Sequence, residues 1–158
     1  MKKRLLLISL LIIIFGLTWI NSLGEAFGSE FSVTSNYDHT YTFNVQYGYY
    51  QWSHRLYTSM PPSLYDYYHS KSHLVYGDGD YQKFVTPSVF ESIAESIQNV
   101  TRNMPYSDEQ FANAVLMLVR QVSYVKSNVK YPVEAIVDNS GDCDVLSLLA
   151  ASIMKAGG

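Results

Sequence analysis

Large and polar residues alternate from Tyr41 through Phe43 and Val45 to Tyr47, the period of a half-buried strand. A second extended run around Trp52 to Tyr57, reached past Gly48, is placed to pair with it. The period then changes. After Thr86-Pro87, the residues Val89, Phe90, Ile93, Ile97 and Val100 recur at helical spacing. This predicts a helix over about residues 87–103, with Thr86 as its cap and Pro87 in its first turn. Met104-Pro105-Tyr106 breaks that pattern. Ser107-Asp108-Glu109-Gln110 has the form of a capping box, and Phe111, Val115, Leu118, Val122 and Val125 step by four, three, four and three. A second amphipathic helix is expected over about 107–127, with Asn113, Arg120, Gln121 and Lys126 facing water and Met117 filling core. Tyr131 to Ser140 reads as a loop entered through Pro132. From Val145 to Met154 the apolar positions (Val145, Leu146, Leu148, Leu149, Ala150, Ile153, Met154) cover most of a helix circumference. That is the pattern of a buried central helix over about 143–156, capped by Asp142 and closed by Gly157-Gly158.

The N-terminal pattern is of another kind. Met1-Lys2-Lys3-Arg4 is a basic head, and Leu5–Ile20 is interrupted only by Ser9, Gly16 and Thr18. The run is longer than a usual signal-peptide core; extended through Leu23 it reaches almost the roughly 20 residues of a membrane span. Two readings stand: an uncleaved signal anchor, or a signal peptide cut near Ser22/Gly24 or Gly24/Ala26. In both, the basic head stays cytoplasmic and the rest lies outside, membrane-anchored or, if cleaved, secreted. Residues 25–36 read as a small, polar linker.

Charge and cysteine content narrow the partners. The formal net charge is −3, and without Lys2, Lys3 and Arg4 the balance is 8 basic to 14 acidic residues, or −6. The part beyond the head is therefore not expected to bind nucleic acid or anionic lipid. A single cysteine excludes an internal disulfide framework.

Residues 37–81 hold 11 of the 14 tyrosines, read here as a Tyr-rich β-layer whose rings pack on the rest of the domain, with a sugar- or peptide-binding surface as the other reading. Asp66, His69 and His73 would share a face if helical, but the prolines before them and the Tyr- and Ser-rich context speak against it, and no metal site is expected. Asp78 and Asp80 lack the later ligands of a calcium loop and read as a turn. Asn99-Val100-Thr101 has the glycosylation pattern but falls within a predicted helix.

The chemistry centres on Cys143. A thiol at a helix N-terminus sits beside unpaired N–H groups that favour an anion, and the thiolate is the nucleophile. The flanking Asp142 and Asp144 oppose a thiolate, so a histidine would have to activate it. The Cys143 N–H is the one oxyanion donor the sequence suggests.

Tyr131-Pro132-Val133-Glu134, Asp138, Gly141-Asp142-Cys143-Asp144 and the following Leu146, Leu148, Leu149 and Ala150 resemble the nucleophile segment of the transglutaminase-like superfamily, in particular its prokaryotic membrane-associated members. The likeness is sharp over residues 131–158 and looser back to about residue 85. It implies an α+β, papain-like domain with the cysteine heading a central helix and a His and an Asp on the strands that follow. Cys143 matches the nucleophile. Nothing matches the other two positions: His39, His54, His69 and His73 all precede Cys143. The resemblance therefore implies the N-terminal part of a longer protein, whose His- and Asp-bearing sheet lies beyond Gly158. The organisation expected is 1–24 signal segment, 25–36 linker, 37–84 Tyr-rich β-layer and 85–158 front portion of the transglutaminase-like domain. The implied activity is acyl transfer from a protein or peptide amide through a Cys thioester, without cofactor or metal. The chain would meet the membrane through residues 5–23. The competing reading is a membrane-anchored envelope binding or structural module with a non-catalytic cysteine.

Overall fold

The computed structural model describes residues 35–158. The signal segment and all but the end of the linker lie outside the described residues. The described part is a mixed α+β fold with two small sheets.

The alternation at Tyr41–Tyr47 folds as expected. Strand β1 (Tyr37–Tyr47) and strand β2 (Tyr50–Met60) form an antiparallel hairpin, with Tyr37 opposite Met60 and Tyr47 opposite Tyr50. Gly48, at φ +60°, opens its two-residue turn, a conformation that favours glycine. Tyr41, Phe43, Val45, Leu56 and Met60 occupy the buried face.

The β1 edge that faces away from β2 would be an open template for another strand. Side chains close it instead. The Thr42 N–H donates to Gln121 Oε1 at 2.9 Å, the Asn44 N–H to Met117 Sδ at 3.5 Å, and the Gln46 N–H to Gln110 Oε1 at 3.2 Å. The two glutamines complete the match by donating from Nε2 to the Thr42 and Gln46 carbonyls, at 2.6 and 2.8 Å. Each glutamine amide thus stands in for a peptide group of a missing strand.

After the hairpin, Pro61 and Pro62 do not merely break the chain. Pro62 takes the first position of α1 (Pro62–His69), where its missing N–H is no loss. A 3₁₀ turn at Asp78–Phe84 and another at Pro87–Val89 lead into α2 (Glu91–Thr101). Then come α3 (Ser107–Val119), β3 (Ser123–Tyr124), α4 (Pro132–Asp138), β4 (Ser140–Gly141) and α5 (Cys143–Gly157). Helix α5 packs against α2, α3 and α4, burying Val145, Leu148, Leu149, Ser152 and Ile153. Phe84 and Phe90 are fully buried in the same core. The opposite side of α5 is less apolar than expected: Asp144, Ser147, Ala151 and Lys155 form an exposed stripe. Among the described residues no helix is long and apolar enough to cross a membrane.

Several local expectations are corrected. Thr86 caps nothing with its side chain; its N–H donates to Ser152 Oγ at 3.0 Å, and that hydroxyl passes its own proton to the Leu148 carbonyl at 2.8 Å. The Ser107/Gln110 capping box does not form, because Gln110 is drawn to the strand edge and Tyr106, at φ 58°, holds the cap position. The helix expected over 107–127 ends at Val119; Val122 is buried beyond it, but Val125 is about half exposed. Met117 lies only partly in the core and serves the β1 edge. Tyr131–Ser140 is not a loop but contains α4. Thr101, the hydroxyl residue of the glycosylation pattern, is buried and bonded to the Ile97 carbonyl at 3.3 Å.

Replacing Gln110 and Gln121 together with alanine should cost about 1 kcal/mol per exposed amide pair lost. It should also leave the β1 edge free to pair between molecules. Urea unfolding and sedimentation velocity at rising concentration would check both effects; unchanged stability with no self-association would show that the edge is guarded by something else.

Candidate functional site

The head of α5 is built by a short relay of backbone elements. Helix α4 ends at Asn139, which adopts the left-handed conformation (φ 48°, ψ 41°) that asparagine tolerates better than most residues. Ser140 and Gly141 then pair in parallel with Ser123 and Tyr124, and the Val125 N–H reaches the Gly141 carbonyl at 2.9 Å. Gly141 has no room for a side chain: a Cβ there would lie 2.7 Å from Val145 Cγ1. Asp142 is extended and caps the helix as its sequence position suggests, accepting from the Val145 N–H at 3.1 Å. Cys143 is therefore the first residue of α5, and its thiol is exposed.

Capping by Asp142 satisfies the third N–H of the helix. The N–H groups of Cys143 and Asp144 have no intrahelical partner, which makes two donors beside the sulfur rather than the one expected. The thiol itself leans toward Asp144, with Sγ 3.7 Å from Oδ1. The other oxygen of Asp144 accepts from the Tyr81 hydroxyl at 3.1 Å. That hydrogen bond and the charge of Asp144 push the Tyr81 phenol above its ordinary value. Tyr81 is the residue that sequence reasoning missed: it sits 62 positions before Cys143, in a segment read as a turn, and no local signal places it here.

None of the four histidines is hydrogen-bonded to Cys143. His39 lies with Nε2 3.2 Å from the Val137 carbonyl, and His54 stacks on Phe43 with ring centroids 5.5 Å apart. The remaining two belong to a second polar centre. His69 Nδ1 is 2.9 Å from Glu134 Oε1, and His73 Nε2 is 2.7 Å from Glu134 Oε2. The Tyr131 N–H also donates to Oε2, at 2.9 Å. Asp66 has no part in this, and among the described residues no group of histidine, cysteine and carboxylate side chains is arranged to hold a metal ion.

Glu134 is 3% exposed. Burial pushes its carboxyl up, but the hydrogen bonds from His73, the Tyr131 N–H and His69 outweigh it and hold the group below its ordinary value of 4.5. An ionised carboxylate can only accept, so both facing imidazole nitrogens carry protons. The centre ties the end of α1 and the segment after it to the start of α4, the helix that delivers Gly141 and Cys143.

A groove of about 640 Å³ is lined by Glu95, Arg102, Asp108, Phe111, Met154 and Gly158 among others. It lies at the C-terminal end of α5. With a rise of about 1.5 Å per residue, that is roughly 20 Å along the helix from Cys143. The chain matches no protein-family model, no curated protein and no solved structure.

Two outcomes test this construction. Because the folded carboxyl of Glu134 is depressed, the unfolded chain takes up that proton first. The stabilisation is complete above about 4.5 and is lost as the pH falls through the folded-state value. Glu134→Gln should cost about 1.5–3 kcal/mol at pH 7, the range for hydrogen bonds to a charged group, and should flatten the acid limb of stability against pH. An acid limb as steep as that of the unsubstituted chain would assign the transition to another carboxylate. Gly141→Ala should cost about 1–3 kcal/mol through overpacking against Val145, read as a lower urea midpoint with an unchanged slope.

Proposed function

We propose that Cys143 is the nucleophile of a transglutaminase-like cysteine acyl-transfer enzyme, built on a papain-like α+β domain and acting outside the cytoplasmic membrane. One observation carries the reading: an exposed thiol stands at the first position of a core helix, beside two N–H groups with no intrahelical partner. The Pro-Val-Glu approach and the Gly-Asp-Cys-Asp turn supply the resemblance, and both have structural work here. Pro132 starts α4, Glu134 anchors it, Gly141 lets the turn close on Val145, and Asp142 caps α5.

The chemistry follows from that geometry. The Cys143 thiolate adds to an amide carbonyl, forming a C–S bond and an oxyanion. The N–H groups of Cys143 and Asp144, without intrahelical partners, are the donors this reading assigns to that oxyanion. The C–N bond then breaks, and ammonia or an amine leaves with the proton given up by the thiol. The resulting thioester passes its acyl group to water or to a second amine. None of the four histidines is hydrogen-bonded to Cys143; His39, His69 and His73 are bonded elsewhere, and His54 stacks on Phe43. Substrate is a protein or peptide amide.

The expected outcome for the 158-residue chain is acylation without turnover. With an activated ester, Cys143 should acylate once per molecule, about tenfold or more faster than a free thiol of equal ionisation, because the helix N–H groups stabilise the oxyanion. Cys143→Ala should abolish the burst. Amide hydrolysis should be undetectable. A burst no faster than that of the free thiol would remove the oxyanion site, and the envelope binding module would become the better reading. Amide turnover lost in Cys143→Ala would instead show that a general base is at hand within the chain.

A further inference from the structure

The hairpin's apolar face is longer than the layer it packs against. Its inner face begins in the core, with Tyr41, Phe43 and Val45 only 1–3% exposed. The same face continues to the turn through the cross-strand pairs Val45–Trp52 and Tyr47–Tyr50, and there it emerges into solvent. Tyr47, Tyr50 and Trp52 are 52%, 69% and 52% exposed, and Tyr49 in the turn is fully exposed. Leu116 of α3, also exposed, lines the neighbouring cleft between β1 and α3.

This patch differs from the exposed Tyr67 and Tyr76 in its charge. Lys71 lies over the Tyr67 ring at 4.2 Å, and the Tyr76 N–H is tied to Asp80 at 2.7 Å. The hairpin end itself carries no charge: from Thr40 to Ser53 the sequence contains no charged residue, and the charge beside it is Arg120 at the end of α3, which lines the cleft with Gln46 and Gln51. An uncharged cluster of Tyr and Trp, with apolar ring bodies and polar tips, has the chemistry of the bilayer interface rather than of a dry protein contact.

We propose that the tip of the β1–β2 hairpin, Tyr47 to Trp52, inserts into the interfacial region of a lipid bilayer. The inference rests on the reading of residues 5–23 as a membrane segment, and the chain length permits both contacts at once. Between Leu23 and Tyr37 there are 13 residues, an extended reach of up to about 45 Å. An 11-residue strand such as β1 spans about 36 Å at the usual rise. The tip can therefore return to the same surface from which the chain departs. The domain would then be held at two points, and its orientation toward the membrane would be fixed rather than free.

Two tryptophans, Trp19 and Trp52, allow each contact to be read separately. The full chain is reconstituted in zwitterionic phosphatidylcholine vesicles as two variants. Trp19→Phe leaves Trp52 alone to report on the hairpin, and Trp52→Phe leaves Trp19 alone to report on the N-terminal segment. The expected result is that Trp52 shifts to the blue and is quenched more by lipid brominated near the headgroup than by lipid brominated deep in the chain. Adding Tyr49→Ser and Tyr50→Ser to the Trp19→Phe variant should cut that quenching roughly in half by removing two interfacial rings. Trp52 that is untouched by bromolipid and fully open to aqueous iodide overturns the proposal, whatever Trp19 does. Trp52 that answers only to a soluble oligosaccharide or peptide overturns it in favour of a ligand-binding hairpin. Trp19 unquenched beside a quenched Trp52 removes the N-terminal membrane segment but leaves the hairpin contact standing.

Discussion

A single buried carboxylate holds the approach to the candidate site together. A charged group removed from water is tolerated only where its lone pairs are met. Glu134 meets that condition with three donors from three places in the chain: His69 at the end of α1, His73 in the segment after it, and the Tyr131 N–H at the start of α4. The donors fix where α4 begins, and α4 in turn fixes where Asn139 turns the chain. Lys130 adds a bridge to Asp138 at the other end of the helix, at 2.8 Å. Everything downstream, from the parallel pairing of Ser140 and Gly141 to the exposure of Cys143, inherits that starting point.

Little side-chain chemistry is needed to define the head of α5. Asp142 takes one N–H, Gly141 removes the bulk that would push the turn away from Val145, and the two remaining N–H groups are left beside the sulfur. Asp144 complicates the picture by engaging both the thiol and the Tyr81 hydroxyl. Cys143, Asp144 and Tyr81 thus form one three-residue cluster at the helix head. The exposed stripe of α5 runs away from it along Ser147, Ala151 and Lys155, while the buried flank keeps the helix in place.

How much was legible in the sequence depended on how local each cause was. The hairpin was readable because alternation, Gly48 and register all act within a few residues. The cap at Asp142 was readable for the same reason. Tyr131–Ser140 was misread as a loop because Pro132 looked like a breaker; at the first helical position it is a starter, and the glutamate two residues on is half of a capping arrangement. The helix after Ser107 was drawn too long because the apolar spacing runs on to Val125, whereas the chain leaves the helix to pair with Ser140 and Gly141, which no neighbouring residue announces. His69 and His73 suggested ligand spacing, but their partner lies more than sixty residues away. Gln110 was assigned to its own helix, and a strand edge claimed it.

That last reassignment has a consequence for how the hairpin is located. The three outward N–H groups of β1 lie at every second residue, Thr42, Asn44 and Gln46, and each meets a different acceptor: Gln121, Met117 and Gln110. The chain directions of strand and helix are thereby set opposed, since the strand ascends as the acceptors descend. Two repeats of unequal length, the strand's two-residue period and the helix's turn, come into coincidence at these points alone. Sliding the strand by one residue would present its inward N–H groups to the helix and turn Phe43 and Val45 out of the core. The contact therefore works as a vernier: five weak bonds, none of them charged, select one alignment of hairpin and helix and leave the neighbouring ones without partners.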